Sequence, residues 1–411
     1  MRIVRLMHFS KEYVRLRYAA DAKLDQLPYE EQKRRIFSDF YSFADSWEYW
    51  LRRAGIEATD VPLGIAPLDA AFEREYGSAA ASADLAVPIA VLRRLAPNLL
   101  FLSSIEYWTA ERVAKLRTAV PSIRAVLGMA GVDVYHLPVL RQVDVLLTCM
   151  KGLAARLCAD GAAAFFMPHA FDPRILEHIP SSGPRAQFAF FGNVHSGAHW
   201  HDMRRAVLET LVEHCGLTVY SSSAPQSMIS PTRYLKLSAA HWAGRLLQRF
   251  PGALAALPFG ASLRRAAEWP SAPSRSHSAR LAAASRPPVF GLAMYRELAA
   301  THMTVNIHAG IAGPYAANMR LFEATGAGTC LLTDAKSDLD EFFASGEEVV
   351  TFENAADAVA KARELLANPA RMAEIGRRGQ ARTLRDHTYE LRVPAVIAAA
   401  ATALERPRST L

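Results

Sequence analysis

The stretch Asn318–Asp334 reads NMRLFEATGAGTCLLTD. It combines a helix-compatible run, Leu321–Thr325, with a strand-like run, Gly328–Thr333, across the turn Gly326-Ala327-Gly328. Arg320 and Glu323 stand three apart at the helix start and so share a face. Arg320 can hold a diphosphate through paired hydrogen bonds, and Glu323 can accept both hydroxyls of a ribose. The plainer reading is a surface ion pair at helical spacing, with Gly326 and Gly328 merely ending the helix. Asp334 closes the strand, where an acid in a cleft can touch substrate or a basic side chain. The acids behind it, Asp338, Asp340 and Glu341, read as a solvated loop and helix start.

Upstream of this stretch, Gln187–Phe191 and Leu217–Ser221 flank a helix from about His201 to Cys215, and Met303–His308 is a further strand. Downstream come Glu348–Phe352 as a strand and Ala355–Leu366 as a helix. The N-terminal half has the same rhythm, with strand-like runs at Arg2–Met7, Ile56–Val61, Asn98–Ser103, Ile123–Leu127, Val143–Thr148 and Ala163–Met167. Pro62 closes the second of these. Strands interleaved with helices at this spacing imply parallel sheets covered on both faces. The proline-rich stretches at 168–173 and 180–184 mark the connection between two series. The expected architecture is α/β: two Rossmann-like domains with an interdomain cleft at the carboxyl ends of the strands. Residues 1–180 form the N-terminal domain and 185–390 the C-terminal one, with a basic insertion at about 224–290 and a closing helix and tail at 391–411.

The 411 residues suit two such domains, and 51% hydrophobic with 21% charged residues is the balance of a folded soluble chain. The N-terminus reads as lacking a signal peptide, and no apolar run is long enough to span a membrane. Cys149, Cys158, Cys215 and Cys330 are scattered, which suits buried thiols in a reducing cytoplasm and not a zinc site. The net charge of +7 invites a nucleic-acid reading. Its distribution argues against one: residues 224–290 hold nine Arg or Lys and the single acid Glu268, a net of +8, leaving the remainder near neutral.

Other candidates for chemistry lie at loop positions. Phe190-Phe191-Gly192-Asn193 runs from a strand into glycine ahead of a helix, a place where backbone and helix N-terminus can meet phosphate. His8 follows the first strand and His169 sits in the connection; either suits a general base for an acceptor hydroxyl. His195, His199 and His201 crowd the loop after Gly192. His199-x-His201 resembles a metal pair, but a third ligand at useful spacing is missing.

The order strand–Gly192-Asn193–helix, Tyr295-Arg296-Glu297-Leu298, Val305-Asn306-Ile307-His308, the stretch 318–334, and Glu341-Phe342-Phe343 with Gly346-Glu347-Glu348-Val349 closely resembles the group 1 glycosyltransferases. The spore-maturation-protein-like branch is the nearest. The tail Asn368-Pro369, Ile375-Gly376, Gly379, His387-Thr388-Tyr389 and Arg392 resembles the same family, as does the hinge-proximal run Asp144–Thr148 with Phe166–Pro173. The resemblance implies a GT-B fold that moves a sugar from a nucleoside-diphosphate sugar to a hydroxyl acceptor: a glycan, lipid-linked glycan, protein or small molecule. It implies no obligatory metal and no other cofactor. Gly192 and Asn193 then line the donor cleft, and Asn318, Arg320 and Glu323 meet the nucleotide. Many retaining members carry a further glutamate eight residues before the one matching Glu323; here that position is Tyr315. A sugar-nucleotide epimerase of the same fold, or a scaffold that has lost catalysis, is the alternative.

Within the basic segment, Leu235–Phe250 has the composition of a basic amphipathic helix, with Trp242, Leu246, Leu247 and Phe250 among Lys236, Arg245 and Arg249. Ser271–Pro288 is Ser-, Arg- and Pro-rich and reads as disordered. The segment is expected either to touch the inner face of the membrane peripherally or to pack its apolar side on the host domain.

Overall fold

The computed structural model describes residues 1–77, 85–179, 186–194, 202–221, 231–249, 257, 259–267, 279–308, 310 and 313–406. His195, His199, His201 and the 180–184 connection lie outside the described residues.

The first sheet contains β1 (Arg2–His8), β2 (Glu57–Leu63), β3 (Leu99–Leu102), β4 (Ala125–Ala130), β5 (Val145–Thr148) and β6 (Ala164–Phe166). The second contains β7 (Ala186–Phe191), β8 (Thr218–Tyr220), β9 (Ser285–Arg286), β10 (Thr301–Asn306), β11 (Cys330–Asp334) and β12 (Val350–Phe352). Their orders are β2-β1-β3-β4-β5-β6 and β12-β11-β10-β7-β8-β9, and every strand pairing is parallel. The N-terminal helices are α1 (Lys11–Ala20), α2 (Tyr29–Phe37), α3 (Ser46–Arg53), α4 (Ala66–Tyr76), α5 (Ala86–Leu95), α6 (Ala110–Ala119) and α7 (Lys151–Ala159). The later ones are α8 (Asp202–Cys215), α9 (Pro231–Leu247), α10 (Gly260–Ala267), α11 (Ala279–Ala284), α12 (Gly291–Ala299), α13 (Met319–Gly326), α14 (Ala355–Leu366), α15 (Pro369–Asp386) and α16 (Tyr389–Glu405).

The interior strands β3, β4 and β5 are buried at every position, as continuous apolar runs require when helices cover both faces. Pro62 does not close β2, which continues to Leu63. The strand lies at the sheet edge, where a missing N–H costs no ladder bond. In the middle of β1, Arg5 is buried opposite Asp60 of β2. Two hydrogen bonds, 2.8 and 2.7 Å, join the guanidinium to that carboxylate, and a third reaches the Ala44 carbonyl at 2.6 Å.

Two departures from expectation concern domain limits. The closing helix α16 is no separate tail: Val393, Val396, Ala399 and Ala403 pack on the N-terminal sheet beside Trp47, Phe101 and Leu127. Residues 279–286, expected to be disordered, form α11 and β9, which complete the second sheet. The insertion therefore runs from the end of β8 to α11. Cys158 is exposed, not buried, and all four cysteines are free.

The chain crosses between domains twice, side by side. The Phe171 amide donates to the His387 carbonyl at 2.9 Å, and the Tyr389 amide donates to the Phe171 carbonyl at 3.1 Å. Asp172 ties this hinge to α3, accepting from Ser46 Oγ at 2.7 Å and from Arg174 at 2.6 Å, while Arg174 also reaches Asp45 at 2.8 Å.

Candidate active site

A cavity of about 320 Å³ lies between the domains. From the N-terminal side come Phe40, Tyr41 and Ser42; from the C-terminal side come the ends of β7, β8 and β10, the start of α13 and the segment Pro288–Gly291. This is the crevice at the carboxyl ends of parallel strands, where ligands of such sheets bind.

Asn318, Arg320 and Glu323 converge on it, as do Gly192 and Asn193. Asn318 is the cap of α13: its Oδ1 accepts from the Arg320 amide at 3.1 Å, and its Nδ2 donates to Asn306 Oδ1 at 2.6 Å. That bond links the helix start to the end of β10. Arg320 and Glu323 do pair, at 2.8 Å, but not as a surface pair; their side chains are 16% and 7% exposed. The Tyr295 hydroxyl donates to the other Glu323 oxygen at 3.2 Å. Burial, then the Glu323 charge, holds this phenol well above its usual pKa, so it stays a donor.

Gly326 and Gly328 are not among the cavity-lining residues. Gly326 is where the Phe171 ring crosses α13, and Gly328, at φ +82°, turns the chain from helix to β11 beneath Gln380. Their job is backbone geometry. The two histidines are not lining residues either. His8 ends β1, with its ring 5.4 Å from that of Tyr107 and 5.7 Å from that of Trp108. Burial and the Arg112 charge lower its pKa. His169 stacks on Phe43 at the hinge, 5.9 Å between centroids. Burial, with the nearby Arg392 charge, pushes its pKa down to about 4.

Asp334 is buried and not solvated. Its Oδ1 accepts from the His308 amide at 2.8 Å and faces His308 Nδ1 at 2.7 Å, while Lys336 stands 3.3 Å from Oδ2. Burial alone would raise this carboxyl, but the His308 hydrogen bonds and the Lys336 charge outweigh it, and the pKa is lowered. Asp338 is buried too, accepting from the Ala316 amide at 2.7 Å. These acids brace the loop into α13.

Sequence reasoning missed Arg204. It lies in the first turn of α8, lines the cavity, and donates to the Asn193 carbonyl at 3.1 Å and the Ile307 carbonyl at 2.7 Å. Burial lowers its pKa. Its Nε is buried without a hydrogen-bond partner, and so is the Nε of Arg320. Buried donors are almost always satisfied; two cavity-lining arginines, each with an orphaned guanidinium N–H, fit an anionic ligand. The signal for Arg204 was its place one turn into the helix behind Gly192-Asn193. The Phe40–Ser42 wall was missed as well. Phe40, Ser42 and Ala44 hold positive φ of 52°, 58° and 35°, in a loop that sequence periodicity does not describe.

The cleft between two parallel six-stranded sheets defines the architecture as GT-B. The fold is shared with a sucrose-phosphate synthase from Thermosynechococcus elongatus, at TM-score 0.50 and 11% identity, covering 97% of this chain and 98% of that one. It is also shared with a glycosyltransferase from Rickettsia africae, at TM-score 0.50 and 8% identity, covering 99% of each chain. Residues 242–398 match the glycosyl transferase-like family. No curated protein sequence matches the chain. The chain thus has the fold seen in GT-B glycosyltransferases, and residues 242–398 resemble the glycosyl transferase-like family.

Proposed function

We propose that the protein transfers a sugar from a nucleoside-diphosphate sugar, bound in this cavity, to a hydroxyl of a glycan, lipid-linked glycan, protein or small molecule. The observation that carries the reading is that Arg204 and Arg320, both lining this cavity, each hold a buried, unpartnered Nε–H donor. In a desolvated cleft such donors stabilise the negative charge that develops on a departing diphosphate. Glu323 retains acceptor capacity beyond its bonds to Arg320 and Tyr295, enough for ribose hydroxyls. The apolar walls from Phe190 and Val289 suit a nucleobase. The protein's own cations thus serve the leaving group, and the reading includes no obligatory metal and no further cofactor.

The acceptor side belongs to the N-terminal domain, whose Tyr41 and Ser42 close the cavity. His8, at the carboxyl end of β1, is the group there with basic character; its lowered pKa keeps it neutral at pH 7, as a proton acceptor must be. A thermal-shift screen against UDP-, GDP-, TDP- and CMP-linked sugars tests the donor assignment. A stabilising donor, followed by slow release of its sugar to water or an added glycan acceptor, is the expected result. No shift with any of them would remove the assignment.

A further inference from the structure

The insertion between β8 and α11 carries a surface that donor binding does not use. Of the exposed large hydrophobic residues in the described chain, Leu235, Trp242, Leu246 and Phe259 cluster here, at 64%, 60%, 61% and 57% exposure. The first three lie on α9 at i, i+7 and i+11, so they form one stripe along the helix. The opposite face of α9 is occupied. His241 is buried, with Nδ1 2.8 Å from the Ala266 carbonyl of α10, and Gly244 lies against the α10 backbone at Leu263. The two helices pack on each other and leave the apolar stripe outward.

Charge is arranged around that stripe. Lys236 stands about 100° to one side of Leu235 on the wheel and Arg245 about 80° to the other, and Arg249 lies in the turn just past the helix end. All three are exposed. No acid occurs in α9 or α10, and Glu268 is the only one between residues 224 and 290. An apolar ridge flanked on both sides by long cationic side chains is the pattern of an interfacial helix. The ridge enters the boundary of the acyl chains, and the cations reach the lipid phosphates. A protein partner would be expected to meet some acidic complement; a uniformly cationic rim selects an anionic surface.

We propose that the α9–α10 hairpin is a docking face for an anionic lipid bilayer. The insertion leaves the sheet at the carboxyl end of β8, whose Tyr220 and the following Ser221 line the cavity. With the insertion rooted at the cavity edge, a membrane-anchored glycan is the acceptor class that docking favours. That assignment rests on the donor-cleft reading; the docking itself does not.

Co-sedimentation of the full chain with vesicles tests it, using phosphatidylcholine alone and phosphatidylcholine with phosphatidylglycerol in equal parts. The anionic vesicles should retain the protein and the neutral ones should not, with retention falling as salt rises. Replacing Trp242 and Leu246 by Gln should lower partitioning at least tenfold. K236E and R245E should each lower it by about fivefold or more, the effect of roughly one cation near an anionic surface. Unchanged circular dichroism and UDP affinity of the variants in solution certify the fold and separate this outcome from a failed donor assignment. Equal retention by both vesicle types, or undiminished retention of the Trp242 and Leu246 variant, would overturn the proposal. So would sedimentation velocity showing a dimer through this face with no vesicle binding.

Discussion

The ring of Phe171 occupies the space that a side chain on residue 326 would need: a Cβ there would stand well inside 3.0 Å of the ring carbons. The hinge residue thus rests directly on the backbone of α13, the helix that presents Arg320 and Glu323. In an open helix, Gly→Ala stabilises by about 1 kcal/mol. Here Gly326→Ala should destabilise by about 2 kcal/mol, the cost of overpacking, measured by urea denaturation. Phe171→Leu in the same chain should restore part of the loss. A stabilised single variant would show that hinge and helix do not meet as described.

His387 supplies a pH dependence. Its Nε2 stands 3.0 Å from the Phe342 carbonyl and its Nδ1 3.1 Å from Arg392 Nη2. The first is served by a donor and the second by an acceptor, which only the neutral ring provides. Burial pushes its pKa down to about 4. The unfolded chain takes up the proton first, near pH 6.5. Stability from this group is therefore complete above about pH 6.5 and is lost as pH falls toward 4, by on the order of 3 kcal/mol. His169, also held near 4 at the hinge, adds a loss of the same sign. Melting temperature measured across that range should fall steeply for the wild type and less so for His387→Gln, which keeps a donor and an acceptor. Parallel curves would exclude His387 as a source of the slope.

The Arg5–Asp60 pair makes a third case. Both side chains are almost wholly buried, at 1% and 2% exposure. Asp60→Ala leaves the guanidinium without its counter-charge, and about 3–5 kcal/mol of stability should go with it. Chemical denaturation of the variant gives the value. A change under 1 kcal/mol would mean that water reaches Arg5.

Much of this fold is legible in the chain because its central strands are short, largely apolar runs between polar turns. Leu99–Leu102 and Val145–Thr148 are buried on both faces and look it. Pro62 misleads because a sequence does not say which strand is at an edge. Asp338 reads as solvated because acids usually are; its burial depends on the Ala316 amide, a partner set by the fold. In the site, Asn318, Arg320 and Glu323 were visible through local spacing. Arg204 was not, since only the folded sheet brings the start of α8 and the start of α13 to the same cavity.

The donor diphosphate is proposed to bind Arg204 and Arg320 beside Glu323. Isothermal titration of the wild type with UDP, GDP and TDP, repeated on Arg204→Ala, tests it most directly. Loss of one charged hydrogen-bonding group is worth roughly 1.5–3 kcal/mol. Binding of one of these nucleotides by the wild type and a fall of at least tenfold in the folded variant are expected. Unchanged affinity in Arg204→Ala, or no binding of any of the three by the wild type, would contradict it.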